Sequence, residues 1–363
     1  MTQVKKALHP TGYQTSLRAG VRMENQIWSP SAARPVASPR LRLFALKGTE
    51  HLARDISAFL VHSLSAHEER DFEDGEHKAR PLDPVGGADV YVIHSLHGGP
   101  QQSANDKLCR LLFFIGALKD AGAERVTAVA PYLCYARKDR RTKPSDPVTT
   151  RYTAMLFEAI GCDAVVTLEV HNEAAYENAF RCRAVALTAA PLMIARIKAT
   201  VGDEPVCVVS PDLGGGKRAD LLREALEKVM GRPIGKAFAE KHRSAGIVSG
   251  DLFVGDVAGA TCIIVDDLIS TGGTLVRAAR AARARGARRV LACVAHGLFM
   301  PGAETALADP AIDRILATDT VPAFRLPAGP VRDKLDIVPA APLLAEAIRR
   351  LHEDKPLGDL LVF

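Results

Sequence analysis

Residues 262–274 read Cys-Ile-Ile-Val-Asp-Asp-Leu-Ile-Ser-Thr-Gly-Gly-Thr. The run begins with apolar, mostly β-branched side chains, which predict a buried parallel strand. Two carboxylates, Asp266 and Asp267, come next, and a loop of small residues follows them. The Ala- and Arg-rich segment 275–285 then predicts a helix. This order of strand, loop and helix is typical of a phosphate site, because the unpaired N–H groups at a helix start face the anion.

Small and hydroxyl-bearing residues fill the loop after the strand. The candidate phosphate ligands in it are Ser270, Thr271, Gly272, Gly273 and Thr274. The glycines let the backbone approach an anion closely, and the hydroxyls add donors. Asp266 and Asp267 are expected at the carboxyl end of the strand, where open α/β sheets bind ligands. Carboxylates there suit the hydroxyls of a sugar that carries the phosphate, and the alternative is a purely structural strand–turn–helix.

The composition is that of an ordinary globular protein. The chain has 363 residues, of which 47% are hydrophobic and 25% charged, and this length predicts two domains. The net charge of +5 is mild and does not favour nucleic acid as a partner. No apolar run approaches the ~18–20 residues of a membrane-spanning helix, and the N-terminus lacks the core of a signal peptide. The seven cysteines stand singly, which favours buried thiols in a reducing cytoplasm.

Predicted strands and helices alternate along the chain beyond residue 40. Strands are predicted at 41–46, 89–94, 125–130, 164–171, 205–210, 234–239, 262–267 and 289–296. Helices are predicted at 50–64, 105–121, 149–160, 219–229, 275–285 and 341–351. This alternation predicts an α/β fold with parallel sheets, helices on both faces and right-handed crossovers. We expect a polar extension over residues 1–39, a first domain over 40–185 and a second over 186–363.

Charged groups follow two predicted strands of the first half. The segment 132–143 is rich in Arg and Lys directly after a strand, and it is either an anion site or a solvated loop. His171 ends the strand at 164–171. A histidine at that edge of an α/β sheet is either structural or part of a ligand site.

Two further segments carry residues that suit a ligand. Residues 210–218 again connect a strand to a helix, and they hold Asp212 and three glycines. An acidic turn at 69–76 contains one aromatic residue, Phe72. That ring is either a small core contact or a platform on which a base stacks.

Taken together, the chain resembles the ribose-phosphate pyrophosphokinases, which are also called phosphoribosyl diphosphate (PRPP) synthetases. Five separated motifs carry the resemblance, in the same order: Phe72-x-Asp74-Gly75-Glu76, Tyr135-Ala136-Arg137-Lys138-Asp139-Arg140, Glu169-Val170-His171, Ser210-Pro211-Asp212-x-Gly214-Gly215 and the 262–274 run. Lys241-x-Arg243 stands where that family has its catalytic lysine and arginine. The resemblance implies two tandem phosphoribosyltransferase-like domains. It also implies a requirement for ATP and Mg²⁺, and homo-oligomers built from dimers with a shared ATP site.

The resemblance also assigns a role to each motif. It implies transfer of the diphosphoryl group of ATP to the anomeric hydroxyl of ribose 5-phosphate, which gives PRPP and AMP. The catalytic pair is then Lys241 and Arg243, and the metal ligands are His171 and Asp212. The ATP ligands are Phe72, Asp74, Gly75, Glu76, Arg137 and Lys138. The ribose 5-phosphate ligands are Arg243, Asp266, Asp267, Ser270, Thr271, Gly272, Gly273 and Thr274.

The chain departs from that family at several positions. Lys138 stands where the family usually has Gln, Ser270 where it has Asp, and Glu169-Val170 where it has Asp-Leu. Two alternatives to the synthetase stay open from the residues alone. One is a phosphoribosyltransferase that consumes PRPP, which would leave the first-half motifs unexplained. The other is a non-catalytic regulatory relative, which should have lost residues such as Lys241 and His171.

The first prediction concerns Lys241. Lys241→Ala should lower kcat by about 10²-fold or more with little change in either KM, because a cation beside the transferred group acts mainly in the transition state. Steady-state kinetics with each substrate varied in turn measure this. Arg243→Ala should behave similarly but with an added rise in KM. A Lys241→Ala effect confined to KM contradicts the catalytic role.

Overall fold

The computed structural model of the protein describes residue 28, residues 32–36 and residues 38–361 except 245 and 246. The side chains of residues 240–251 lie outside this description. Most of the predicted extension, residues 1–39, also lies outside the described residues. Among the helices that are described, none combines the length and the apolar character needed to cross a membrane.

The first half of the chain alternates strands and helices and adds a hairpin after the first helix. Its strands are β1 (Leu41–Ala45), β2 (His67–Asp71), β3 (His77–Pro81), β4 (Asp89–Ile93), β5 (Arg125–Val129), β6 (Ala164–Leu168) and β7 (Arg183–Leu187). Its helices are α1 (Glu50–Leu60), α2 (Ala104–Asp120), α3 (Thr149–Ala159) and α4 (Glu173–Ala179). Within the described residues, five strands form a parallel sheet in the order β1-β4-β5-β6-β7. β2 and β3 form a separate antiparallel hairpin.

The second half builds a larger sheet. Its strands are β8 (Val206–Ser210), β9 (Gly235–Ser244), β10 (Ile247–Val254), β11 (Thr261–Ile269), β12 (Arg289–Gly297), β13 (Arg314–Thr318) and β14 (Leu335–Val338). Its helices are α5 (Ala190–Val201), α6 (Gly216–Met230), α7 (Gly273–Ala284), α8 (Ala303–Leu307), α9 (Pro330–Lys334) and α10 (Ala341–His352). In the described part of the chain the order is β10-β9-β8-β11-β12-β13-β14, and β10 is its antiparallel strand.

The strand order reverses between β8 and β11. The chain leaves β8 toward β9 on one side and leaves β11 toward β12 on the other. Ligands of open α/β sheets bind in the crevice at such a switch point. The pairing of β8 with β11 stops at Ile264, whereas β11 continues to Ile269. Asp266 and Asp267 therefore lie inside a strand that is longer than predicted, but beyond the end of its neighbour.

One apolar layer is shared by the two sheets. It contains Leu43 and Ile93 from the first sheet and Val208 and Ile263 from the second. Side chains from α1, α5, α6 and α10 belong to the same layer, and α10 packs on α1. Helices α2, α3 and α4 cover the other face of the first sheet, and α7 and α8 that of the second. Burial of the shared layer holds the two halves together. With the outer helices, it leaves each sheet covered on both faces, as predicted.

A polar cluster ties the end of α10 to the first sheet. The Arg125 guanidinium donates to both oxygens of Asp89, at 2.7 and 2.6 Å. It also donates to the carbonyl of Leu351 in the last turn of α10, at 3.0 Å. Nδ1 of His352 lies 2.6 Å from Oδ2 of Asp89. A carbonyl at the helix end is thus paired with a cation, which the helix dipole favours.

Several elements differ from their predicted bounds. β9 runs to Ser244 rather than ending at 239, because it pairs with β10 as a hairpin. Part of the predicted acidic turn at 69–76 belongs to β2, and β7, α4, α5, β13 and β14 are not among the predicted elements. The predicted domain boundary, between residues 185 and 186, falls inside β7.

Candidate active site

A cleft of about 1030 Å³ opens where the carboxyl ends of β6, β8 and β11 meet. Its volume is at the upper end of the ~300–1,000 Å³ that is usual for a small-molecule site. The predicted site residues that line it are Arg137, Lys138, His171, Asp212, Asp266 and Asp267. The tertiary structure thus brings residues of both halves to one cleft.

The two neighbouring carboxylates on β11 have different environments. Nδ1 of His171 lies 2.8 Å from Oδ2 of the buried Asp267. Burial alone would raise the pKa of Asp267, but the hydrogen bond from His171 and the charge of Arg218 lower it below its usual range. Burial and the adjacent Asp267 raise the pKa of Asp266 well above that of a free aspartate. The pair therefore combines one firmly ionised carboxylate with one that protonates readily.

Arg218 is the cation that balances this acidic group. It lies in the first turn of α6, with Nε 3.5 Å from Oε2 of Glu169 and a terminal nitrogen 3.6 Å from Oδ1 of Asp266. Burial opposes the charged form of Arg218, yet the surrounding carboxylates raise its pKa. One guanidinium thus links a carboxylate after β6 to the acidic pair on β11.

The backbone around Glu169 is held in an unusual conformation. Glu169 has φ +46°, in the left-handed region that non-glycine residues seldom adopt. Its Oε1 accepts hydrogen bonds from the Thr188 hydroxyl at 3.0 Å and the Ala189 N–H at 2.9 Å. Nε2 of His296, from β12, lies 2.8 Å from the Leu168 carbonyl oxygen. The turn that leads to His171 is therefore fixed by contacts from both halves of the chain.

Asp212 lies in a tight loop between β8 and α6. Its Oδ1 accepts the N–H of Gly215 at 2.9 Å, and the Ser210 hydroxyl donates to the Asp212 carbonyl at 2.6 Å. A Cβ at Gly215 would stand 2.9 Å from the Ser210 Oγ, so a side chain there would push the loop apart. The glycine keeps the Asp212 carboxylate, which is exposed, at the cleft.

The loop from Ser270 to Thr274 lies just past the lining of the cleft, at the end of β11. Gly272 immediately precedes α7 and has φ +82°, and a Cβ there would stand 2.7 Å from Cδ2 of Leu307. Glycine is needed here because it adopts a positive φ without strain and has no Cβ to clash with Leu307. The first N–H groups of α7 then have no partner within the helix and are available to an anion.

The turn with Phe72 is the tip of the β2–β3 hairpin. Residues 72–76 close it, with the Phe72 N–H donating to the Glu76 carbonyl at 2.8 Å and Gly75 at φ +93°. The Arg70 guanidinium lies 5.0 Å from the centre of the Phe72 ring. Asp74, Gly75 and Glu76 are exposed, and none of these turn residues lines the cleft of its own chain.

Comparisons with known proteins agree with this geometry over most of the chain. Family models match residues 41–161 as the N-terminal domain of ribose phosphate pyrophosphokinase and residues 250–362 as the phosphoribosyl synthetase-associated domain. The ribose-phosphate pyrophosphokinase of Pasteurella multocida is 35% identical over 322 residues, which are 88% of this chain and 98% of that protein. The Haemophilus influenzae protein of the same name is 36% identical over 322 residues, again 88% and 98%. The crystal structure of phosphoribosylpyrophosphate synthetase from Mycobacterium smegmatis matches with a TM-score of 0.77 and 33% identity, covering 87% of this chain and 99% of that one.

This chain belongs to the ribose-phosphate pyrophosphokinase family. The predicted fold of tandem phosphoribosyltransferase-like domains and the predicted family are confirmed. The relatives match across both halves, which a single-domain phosphoribosyltransferase does not explain. That alternative and the non-catalytic regulatory relative are therefore not favoured.

Two of the predicted site residues, Lys241 and Arg243, follow the predicted strand at 234–239. Their backbones belong to β9, but their side chains lie outside the described residues. Their catalytic roles remain predictions from the sequence.

The cleft contains two residues that could bind a divalent ion whose other ligands are phosphate groups of a substrate. The described residues contain no group of three His, Cys, Asp or Glu side chains able to hold a metal alone. His171 and Asp212 nevertheless both line the cleft, and the Asp212 carboxylate is exposed. Mg²⁺ in phosphoryl-transfer sites is usually bound by one or two carboxylates together with substrate phosphates and water. His171 and Asp212 therefore fit a divalent ion that takes its other ligands from phosphate and water.

The sequence patterns did not single out the cation that balances the carboxylates of the cleft. Arg218 follows the glycine loop after β8, and that position at a helix start was a signal for an anion partner. Its partners turn out to be protein carboxylates from distant segments. Glu169 belongs to a motif that the sequence shows, but its contacts, like the role of His296, depend on segments that are distant in the chain.

The second prediction concerns the sugar end of the cleft. Asp266→Asn should raise KM for ribose 5-phosphate about threefold or more, since the amide has one acceptor oxygen fewer and a net hydrogen bond contributes ~0.5–1.5 kcal/mol. KM for ATP should change little. Initial-rate kinetics with each substrate varied separately measure both constants. A collapse of ATP binding instead means that the two substrates have been assigned to the wrong parts of the cleft.

Proposed function

We propose that the protein acts as a ribose-phosphate diphosphokinase, which transfers the diphosphoryl group of ATP to ribose 5-phosphate and gives PRPP and AMP. The single observation that carries the proposal is one cleft that joins the basic segment at 137–138 to the acidic pair on β11, with the phosphate-type loop 270–274 following that strand directly. Such a cleft offers cations for a nucleotide and carboxylates for a sugar within reach of each other.

The chemistry needs positioning and charge stabilisation more than a protein nucleophile. The anomeric hydroxyl of the sugar attacks the β-phosphorus of ATP and gives up its proton to solvent. The bond from that phosphorus to the oxygen that bridges the α- and β-phosphates breaks, and AMP leaves from the opposite side. Charge spreads over the transferred oxygens, so fixed cations stabilise the transition state. Lys241 and Arg243 are the proposed source of that charge, on the strength of the family motif. We assign Arg137 and Lys138 to the nucleotide phosphates, since a planar fork and a point charge both suit them.

The sugar substrate is assigned to the end of β11. Its phosphate would accept hydrogen bonds from the N–H groups and hydroxyls of Ser270 to Thr274 at the start of α7. Its hydroxyls would donate to Asp266 and Asp267. His171 supports the ionised state of Asp267 through its Nδ1 hydrogen bond. Burial and the adjacent Asp267 raise the pKa of Asp266, which makes this carboxylate a better proton acceptor for a hydroxyl group than a free aspartate.

Family membership implies a divalent metal, and Mg²⁺ is the ion we propose. His171 and Asp212 would hold it or its water ligands at the edge of the cleft. When bound, the ion neutralises negative charge on the phosphates of ATP.

We also propose a homo-oligomer built from dimers and a cytoplasmic location. Phe72, Asp74, Gly75 and Glu76 do not line the cleft of their own chain, which supports a nucleotide site completed by a second subunit. Carboxylates repel a triphosphate, so Asp74 and Glu76 would face the adenine amino edge, and Phe72 would stack on the ring. The seven cysteines are all free thiols, which supports a reducing compartment.

The third prediction tests the reaction itself. Purified protein with ATP, Mg²⁺ and ribose 5-phosphate should release AMP and PRPP in equal amounts, as measured by chromatography of the products. The control omits ribose 5-phosphate and should release no AMP. Formation of ADP as the main product, or AMP release that does not depend on the sugar, contradicts the proposed transfer. Consumption of PRPP with a free base would favour the phosphoribosyltransferase alternative.

The fourth prediction tests the shared nucleotide site. Phe72→Ala should raise KM for ATP with little effect on ribose 5-phosphate. Mixing Phe72→Ala with Lys241→Ala subunits should restore up to about a quarter of the parent activity at low ATP. Random exchange makes half the dimers mixed, and each mixed dimer has one intact site. Subunit exchange is verified by mass spectrometry of differently labelled chains. No recovery after verified exchange, or full activity in a demonstrated monomer, rules out a shared site.

A further inference from the structure

The basic segment of the cleft is organised around a carboxylate that belongs to no predicted motif. Oδ2 of Asp146 accepts hydrogen bonds from the Lys138 ammonium at 2.6 Å, the Thr142 N–H at 3.0 Å, the Thr142 hydroxyl at 2.7 Å and the Lys143 N–H at 3.0 Å. One oxygen thus gathers donors from three residues of the same loop. The loop that carries the cations into the cleft is closed by this carboxylate.

Lys138 is the partner with a functional position. It lines the cleft, whereas Asp146 stands behind it and is not part of the lining. The Lys138 ammonium also lies 3.1 Å from the Thr142 hydroxyl oxygen. The acidic neighbour Asp139 has a different partner, because its Oδ2 accepts from the Asn172 amide at 2.6 Å. Asp146 is therefore the carboxylate that pairs with Lys138.

We infer that Asp146 is a charge-compensating residue behind the nucleotide site, which pairs with Lys138 and so limits the positive charge that the cleft offers to the phosphates of ATP. The inference rests on the proposed function, because it takes Arg137 and Lys138 as nucleotide ligands. A lysine held by a carboxylate adds no net charge to the cleft. A lysine without that partner is free to bind phosphate as a point charge.

The electrostatics of Asp146 support this role. The hydrogen bond from Lys138, followed by those from Thr142, lowers the pKa of Asp146 below that of a free aspartate. The carboxylate is therefore ionised throughout the neutral range. Because the pair is partly open to solvent, its strength depends on ionic strength. A change in KM for ATP that is caused by charge should therefore shrink at high salt, whereas a change caused by the shape of the loop should not.

The fifth prediction uses two variants and their combination. Asp146→Asn keeps an oxygen that can accept from the loop N–H groups but removes the charge that holds Lys138. It should lower KM for ATP about threefold or more and make KM more sensitive to salt, because the released ammonium then contacts phosphate. Asp146→Asn should lower KM for ATP by a smaller factor when Lys138 is already replaced. This factor is the ratio of KM between Lys138→Gln and Lys138→Gln/Asp146→Asn. KM for ATP is measured by initial-rate kinetics at about 0.05 and 0.5 M KCl, which lie on either side of physiological ionic strength. Calorimetric titration with ATP measures the binding constant directly.

Two further variants act as references. Asp120→Asn makes the same change of net charge at the exposed end of α2 and should leave KM for ATP unaltered. Asp146→Ala removes the acceptor for the loop N–H groups as well. It should lower kcat relative to Asp146→Asn, since the loop then loses its closing hydrogen bonds.

The outcomes separate this inference from the proposed function. If the protein releases no AMP and PRPP in the product assay, the proposed function fails and this inference with it. If the reaction occurs but Arg137→Ala leaves KM for ATP unchanged, the nucleotide is not bound by this segment, and only this inference and the assignment of Arg137 and Lys138 are overturned. If Arg137→Ala raises KM but Asp146→Asn has the same effect with and without Lys138, Asp146 does not act through Lys138 and only this inference is overturned. It is likewise overturned if Asp146→Asn weakens ATP binding as much as Asp146→Ala does, because the carboxylate is then purely structural.

Discussion

The apolar layer between the two sheets is the constraint on which the rest of the structure depends. It takes side chains from both sheets and from helices at both ends of the chain, so neither half is covered without the other. Its burial turns the carboxyl ends of β6, β8 and β11 toward one cleft. A large apolar layer favours a fixed arrangement of the halves, because sliding would expose part of it. Residues far apart in the chain, such as His171 and Asp267, can then keep a 2.8 Å contact.

The second constraint is the concentration of negative charge inside that cleft. Glu169, Asp266 and Asp267 converge there, and carboxylates so close together repel one another. Arg218 contacts Glu169 and Asp266, while His171 holds Asp267. Removing Arg218 would leave acidic groups near each other without a counter-ion, which is costlier than losing a single exposed ion pair. The ability of this site to present carboxylates to a sugar therefore depends on a cation that itself need not touch the sugar.

The departures from the family pattern also have a physical explanation. Lys138 stands where the family usually has a neutral side chain, and Asp146 lies 2.6 Å from its ammonium. A substitution that adds a charge is thus accompanied by an opposite charge in the same loop. Glu169 replaces a shorter aspartate, and its longer side chain reaches Thr188, Ala189 and Arg218. Lys138 and Glu169 thus both have partners within the same chain, so these two departures do not argue against the family's reaction.

The sequence by itself determined the class of fold, the central strands and most of the site motifs. Those features follow from local signals: apolar runs, glycines before helices and polar groups after strands. It did not determine that β11 extends past its carboxylates, that β9 turns back as a hairpin, or that the hairpin with Phe72 lies away from its own cleft. Nor did it determine the roles of Arg218 and Asp146, which are charged residues whose importance lies in their partners. Only the tertiary structure decided these points, because strand pairing, burial and the matching of charges depend on groups that are distant in sequence and close in space.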